Sequence, residues 1–314
     1  MLRRYRDNKL LIVVRGIGRF EIRNSLLAFF LTVILAGHAI AEDSACLSNR
    51  CKEGGQEEAK EIILSPDMQR ILDKGKLVVA MHCDDGAPFW TLNKECKLVG
   101  LDVDLATDIA ANLGVDLEFN RDALTFDGVV DKVASREADL GISCISQTRQ
   151  RAVKVNFTEP YVKLYYAFII NRVKTARLSA GKEFNQWIND SRVTLGTVAG
   201  SSYVEFIQRD YPKSSIKLYP DWEACCAAVL SGEVHAVLFD DSMVRGWIND
   251  HPEDVLYLQT KMLQDKEDPI SIVVHWQDTH LLNWLNLYLA TLKRDGTLDA
   301  WIEKWLKKHG SSGE

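Results

Sequence analysis

At 314 residues the chain has room for about two domains of roughly 150 residues each. A composition that is 46% hydrophobic and 26% charged, with mean hydropathy -0.12, 7 prolines and 19 glycines, excludes a disordered, collagen-like or polytopic membrane protein. The net charge of -6 and pI near 5.7 lack the basic footprint of a nucleic-acid binder, so no nucleic-acid partner is expected.

The charge is uneven along the chain. Residues 1–41 hold seven arginines and lysines against Asp7 and Glu21, a net of +5 that leaves -11 on the remaining 273 residues. The apolar run Leu26–Leu35 follows the basic stretch, and Ala39-Ile40-Ala41 closes it. That order predicts a cleaved signal peptide over 1–41 and a mature, exported, periplasmic protein that begins near Glu42. Asp43, three residues before Cys46, argues against a lipid anchor. Residues 42–62, polar and interrupted by Gly54-Gly55, read as a leader. All seven cysteines follow the predicted cleavage point, in a compartment that permits disulfides, and the odd count leaves at least one thiol over. Cys83 has Cys144 or Cys96 as a possible partner. The sequence holds no C-x-x-C, no H-E-x-x-H and no zinc-type spacing, so neither metal nor cofactor is expected.

From Ile63 the pattern becomes strand and helix in alternation. Leu77–Met81 is a short apolar run predicted as a buried strand. Asp102 and Asp104 open an amphipathic helix through Leu105, Ile109 and Leu113 that stops at Gly114, and capping is their expected role. Val115–Phe119 alternates as a strand, Asp127–Ser135 is helical and Leu140–Ile142 is a strand. The order then recurs, with strands at Val193–Thr197, Ile216–Tyr219 and Ala236–Phe239 and helices at Ser202–Tyr211 and Trp222–Leu230. Ser135–Leu140 and Ser231–Ala236 form a faint echo 96 residues apart. A strand at Ile270–His275 and helices at Thr279–Lys293 and Leu298–Lys308 complete the chain, with Trp284, Trp301 and Trp305 at core spacings.

This alternation implies an α/β protein of two similar lobes, each a mostly parallel sheet with helices on both faces. The late strand and helices are expected to return to the first lobe. Lobe 1 is then residues 63–165 plus 270–310 and lobe 2 residues 166–269, joined by a hinge of two crossings near Lys163–Tyr166 and Glu267–Ser271. Ligands in such sheets bind beyond the carboxyl ends of the strands. There the sequence places His82–Trp90, Ser143–Arg151, Gly200–Tyr203 and Asp240-Asp241, a set of hydroxyls, amides, an arginine, carboxylates and aromatics suited to a small zwitterion.

At these residues the chain resembles the polar-amino-acid-binding periplasmic proteins, the extracellular components of ABC importers. The resemblance runs in order through Ile71–Leu77, Ala87-Pro88-Phe89, Leu98–Ala106, Phe126-Asp127-Gly128, Ser146-x-Thr148-x-x-Arg151, Asn156–Tyr161 and Leu292–Leu298, and covers Ile71 to Lys307. It implies that Arg151 grips a ligand α-carboxylate as a bidentate fork. Ser146, opening a helix, adds its amide and hydroxyl. Asp240 takes the α-ammonium, Ser202 supplies the second lobe's hydroxyl, Phe126 walls the ligand side chain, and Ser143 and Cys144 line the same edge. It further implies a monomer that closes its lobes on an amino acid and delivers it to permease subunits in the inner membrane.

Each assignment has a plainer counterpart. Arg151 reads equally as a surface charge, Asp240 as a helix cap, and Phe89 and Phe126 as core. The chain also departs from the family pattern. Gly86 stands where relatives carry an aromatic residue over the ligand, Cys83 where an acidic residue helps select the side chain, and Cys144 where a small hydroxylated residue is usual. Two other functions fit the same fold: a periplasmic dehydratase of cyclic acids, whose glutamate position is Tyr203 here with Glu205 two residues on, and a sensing subunit of a membrane partner.

Overall fold

The computed structural model describes residues 2–5, 9–12 and 63–307. Most of the predicted signal peptide and all of the leader 42–62 lie outside the described residues. Within 1–41, β1 (Leu2–Tyr5) pairs antiparallel with β2 (Lys9–Ile12).

The body begins with α1 (Pro66–Lys74) and β3 (Lys76–His82), followed by the short strands β4 (Thr91–Leu92) and β5 (Leu98–Val99). Next come α2 (Leu101–Leu113), β6 (Asp116–Ala123), α3 (Phe126–Ala134), β7 (Leu140–Gly141), α4 (Arg149–Ala152), β8 (Val155–Phe157) and β9 (Val162–Asn171). The second half runs α5 (Arg172–Ser179), α6 (Phe184–Ile188), β10 (Thr194–Val198), α7 (Tyr203–Asp210), β11 (Ser215–Tyr219), α8 (Trp222–Leu230) and β12 (Ala236–Asp240). It closes with α9 (Asp241–Asp250), β13 (Leu258–Ile270), β14 (Val273–His275), α10 (Thr279–Asp295) and α11 (Thr297–Ile302).

Two five-stranded sheets result, ordered β6-β3-β7-β14-β8 and β11-β10-β12-β9-β13. Each has a parallel core of three strands, and each continues into antiparallel strands. The two lobes therefore repeat one plan. In each, the fourth strand runs antiparallel to the third.

β3 shows why the first sheet is covered on both sides. Leu77, Val79 and Met81 pack with the apolar faces of α2 and α10, whereas Val78 and Ala80 pack with Val129, Val130 and Val133 of α3. A strand buried on both faces needs an unbroken apolar run, which is what Leu77–Met81 supplies. In the second lobe, Phe168 and Ile170 of β9, Leu195 of β10 and Leu238 of β12 share one core with Phe206 of α7 and Val229 of α8.

The crossings are a two-stranded ribbon. β9 and β13 run antiparallel with Leu164 opposite Asp268 and Val162 opposite Ile270, and their register slips between Leu263 and Glu267. The expected single strand Ile270–His275 is divided, with Ile270 ending β13 and Val273 opening β14. The described cysteines Cys83, Cys96, Cys144, Cys225 and Cys226 are all free thiols, so the expected bridge from Cys83 is not formed. No helix among the described residues is long and apolar enough to cross a membrane.

Candidate functional site

The two lobes meet where the carboxyl ends of their sheets converge. The loop after β7 places Cys144 and Ser146 there. Thr148 then accepts from the Arg151 N–H at 3.2 Å, which caps α4 and fixes Arg151 one turn further on. This is the local reason for the Ser-x-Thr-x-x-Arg spacing. Arg151 is 4% exposed, so it is not a surface charge. Its Nε donates to Asp127 at 2.9 Å, one terminal nitrogen donates to the Ser146 carbonyl at 3.1 Å, and the other donates to the Gly200 carbonyl at 3.4 Å. A guanidinium carries five N–H donors. Three are accounted for, which leaves one on each terminal nitrogen, the arrangement of a fork.

Gly200 belongs to the second lobe. Its φ is +70°, and a Cβ there would lie 2.8 Å from the Cβ of Thr125 in the first. Only glycine permits both the left-handed turn and this approach. Asp127 N–H also donates to the Gly200 carbonyl at 3.2 Å.

Ser146 differs from its expected part. The helix after it is a single turn capped by Thr148, so Ser146 does not open it and no helix dipole is available. Its hydroxyl instead lies 2.8 Å from that of Ser202 and donates to Asp268 at 2.9 Å. Tyr203 donates to the same Asp268 oxygen at 2.8 Å. Asp268 is 1% exposed, and its other oxygen, Oδ1, is buried without a hydrogen-bond partner. Ser146, Asp268 and Ser202 thus tie first lobe, crossing ribbon and second lobe together.

A cavity of about 20 Å³ lies in this floor, lined by Phe126, Cys144, Ser146, Arg151, Ser201, Ser202, Tyr203, Phe239, Asp240 and Asp268. Above it, sharing Phe126, Cys144, Phe239 and Asp240, is a pocket of about 430 Å³. Its walls include Phe89, Trp90, Trp222 and Met243, and its rim Asp84, Asp85, Asp221 and Glu223. Trp90 meets Phe126 edge-on at 6.4 Å, and Trp222 lies 5.1 Å from Phe239. Among the described residues lining this pocket there is no lysine or arginine. The histidine in this lining is His82, and burial lowers its pKa.

Six of the eight sequence-predicted positions, Arg151, Ser146, Asp240, Ser202, Phe126 and Cys144, line the floor, and Phe89 lines the pocket above. Ser143 lines neither. It is fully buried, and its hydroxyl accepts from the His82 N–H across the sheet at 3.0 Å. Asp240 is both cap and cleft residue, for its Oδ1 accepts from the Met243 N–H at 2.9 Å while the side chain borders both cavities. The expected capping by Asp102 and Asp104 is not what these residues do. α2 starts at Gly100 without a side-chain cap. Asp102, fully buried, accepts from the Cys144 N–H at 2.7 Å and Tyr161 Oη at 2.7 Å, holding the loop that carries Cys144 and Ser146. Asp104 accepts from Lys304 and Trp305.

Burial sets the electrostatics. It pushes the carboxyls of Asp102 and Asp268 up to about 7 and that of Asp240 to about 6, and holds the Cys144 thiol well above its ordinary range. His82, Cys83 and Asp84 bring side-chain ligand atoms within 4.8 Å of one another. However, His82 Nδ1 already accepts from the Asp84 N–H at 3.1 Å, so this ring nitrogen is occupied within the loop.

Sequence reasoning put Trp90 and Tyr203 in the cleft loops without giving them a role, and missed Trp222, Phe239 and Asp268. For Trp90 a signal was present. A Cβ on Gly86 would sit 2.5 Å from the Trp90 ring, so the indole fills the space beside a residue that has no side chain. Gly86 and Trp90 belong together, and the missing aromatic is supplied four positions later.

Comparison with known proteins gives a match over residues 77–308 to the family described as bacterial extracellular solute-binding proteins, family 3. The chain is 25% identical over 221 residues to the ABC transporter arginine-binding protein 1 of Escherichia coli, covering 69% of this chain and 86% of that one. Among solved structures it is similar to the amino acid ABC transporter substrate-binding protein AbpA of Streptococcus pneumoniae bound to L-arginine, at 26% identity and TM-score 0.63, covering 78% of this chain and 100% of that one. A putative ABC transporter binding component from Wolinella succinogenes complexed with lysine matches at 26% identity and TM-score 0.63, covering 74% and 96%.

Proposed function

Because the chain belongs to the bacterial extracellular solute-binding proteins of family 3, we propose that it captures an amino acid with a cationic side chain between its lobes and presents it to an ABC-type importer. The observation that carries this reading is the pocket wall: aromatic faces of Trp90, Phe126, Trp222 and Phe239 under a rim of Asp84, Asp221 and Glu223, with no lysine or arginine among the described lining. Aromatic faces and carboxylates both attract a guanidinium or ammonium. The relatives named for arginine and lysine support the same ligand class.

In this reading the free fork of Arg151 binds the α-carboxylate and Asp240 the α-ammonium. Because these residues stand in different lobes, the zwitterion links them, and binding closes the ribbon hinge of β9 and β13. The protein acts as a monomer in the periplasm, exported by its first 41 residues, and meets permease subunits at the inner membrane. The position that would carry a dehydratase glutamate is Tyr203, which donates to Asp268, and Glu205 lines a separate groove with Asp127 and Gly200. This supports binding over turnover.

Thermal unfolding against the twenty amino acids tests the proposal. At a hundredfold excess over Kd a ligand stabilises by about 2.7 kcal/mol, a melting shift of roughly 5 °C for a chain this size. L-Arginine and L-lysine are expected to give the largest shifts. No shift with any amino acid overturns the proposal.

A further inference from the structure

The floor of the cleft holds more buried negative charge than a zwitterion's head needs. Asp240 and Asp268 are 3% and 1% exposed, and both border the cavity of about 20 Å³. The one guanidinium beside them, Arg151, already pairs with Asp127. One ammonium accepted by Asp240 therefore leaves a second carboxylate unmatched. Asp268 is not satisfied internally: Ser146 and Tyr203 share its Oδ2, and Oδ1 is buried without a hydrogen-bond partner among the described residues. A buried unmatched acceptor is costly to keep, and burial lifts this carboxyl to about 7, as expected of a carboxylate without its cation.

We propose that Asp268 is a second ammonium-binding carboxylate of the cleft, holding the ligand's α-ammonium jointly with Asp240. An ammonium has three N–H donors and no acceptor, so Asp268 Oδ1 and Asp240 can each take one. The inference rests on the amino-acid reading above and sharpens it.

Calorimetric titration of the purified protein and its Asp268→Asn variant with three probes tests this. The probes are L-arginine, agmatine, which lacks the carboxylate, and 5-guanidinopentanoate, which lacks the α-ammonium. The parent is expected to bind agmatine, which forgoes the Arg151 fork, about 10²- to 10⁴-fold more weakly than arginine, and 5-guanidinopentanoate at least about a hundredfold more weakly, as a site built around hydrogen bonds rejects an analogue without them. Asp268→Asn is expected to weaken arginine and agmatine by at least about tenfold and to leave 5-guanidinopentanoate within about twofold. Equal weakening of all three probes would mean that Asp268 only clasps the lobes, and unchanged arginine binding would mean that it does not touch ligand. Either result overturns the inference while leaving the amino-acid function standing. A parent that binds none of the probes overturns both. Should the variant not fold, the parent decides, and 5-guanidinopentanoate binding within about tenfold of arginine overturns the inference.

Discussion

Replacing Arg151 with alanine is expected to remove most ligand affinity, and the size of the loss follows from its hydrogen bonds. Three of its five N–H donors serve Asp127, Ser146 and Gly200. The other two are the fork assigned to the ligand carboxylate. Each hydrogen bond to a charged group contributes about 1.5–3 kcal/mol, so the pair contributes roughly 3–6 kcal/mol, or about 10²- to 10⁴-fold in Kd. Asp127 adds little to this, because its side chain is 50% exposed and water replaces the lost partner. Ser146→Ala makes the contrast. Its hydroxyl bonds to Ser202 and Asp268, not toward Arg151's fork, so its removal is expected to cost no more than about tenfold, near 1.4 kcal/mol. Arg151→Lys is expected to recover little, since one ammonium cannot serve three internal acceptors and a planar carboxylate together. Calorimetry with L-arginine on variants whose ligand-free melting is retained reads all three. An Arg151→Ala protein that binds within threefold of the parent refutes the fork assignment.

Two further outcomes test neighbouring parts of the site. Gly86→Ala puts a methyl group 2.5 Å from the Trp90 ring; overpacking of this kind costs about 1–3 kcal/mol, so L-arginine affinity should fall with a change in tryptophan fluorescence, and an unchanged affinity refutes the pairing of Gly86 with Trp90. The carboxyls of Asp102, Asp240 and Asp268, raised to about 7, 6 and 7 by burial, hold their protons more tightly when folded than the unfolded value of about 3.9. Their stabilising contribution is therefore full below about pH 4 and lost as pH rises through 6 to 7, so the ligand-free protein should melt higher at pH 5 than at pH 8. Asp102→Asn should flatten that slope by up to about 1.4 kcal/mol per pH unit, and parallel slopes for variant and parent refute the role given to its burial.

The two-lobed plan was legible because each lobe repeats the same alternation, and because apolar runs such as Leu77–Met81 and Ala236–Phe239 match strands buried on both faces. Arg151 and Asp240 were legible because capping fixes them: Thr148 and the Asp240 side chain itself each accept a backbone N–H three residues on. What stayed hidden lies in long-range pairing. β13 carries a polar stretch, and only its partnership with β9 makes it a strand. Asp268 sits in the charged run Asp265–Asp268, where nothing local separates it from its exposed neighbours; the ribbon register turns it inward. Asp102 looked like a cap by its place at a helix start, yet its partners, Cys144 and Tyr161, are 42 and 59 positions away.

The measurement that bears most directly on the whole account is a crystal structure of the protein with bound L-arginine. The account expects the α-carboxylate within about 3 Å of both terminal nitrogens of Arg151, the α-ammonium within the same distance of Asp240 and Asp268, and the guanidinium among Trp90, Phe126, Trp222 and the acidic rim. Arginine held by one lobe alone, or seated away from Arg151 and Asp240, would contradict it.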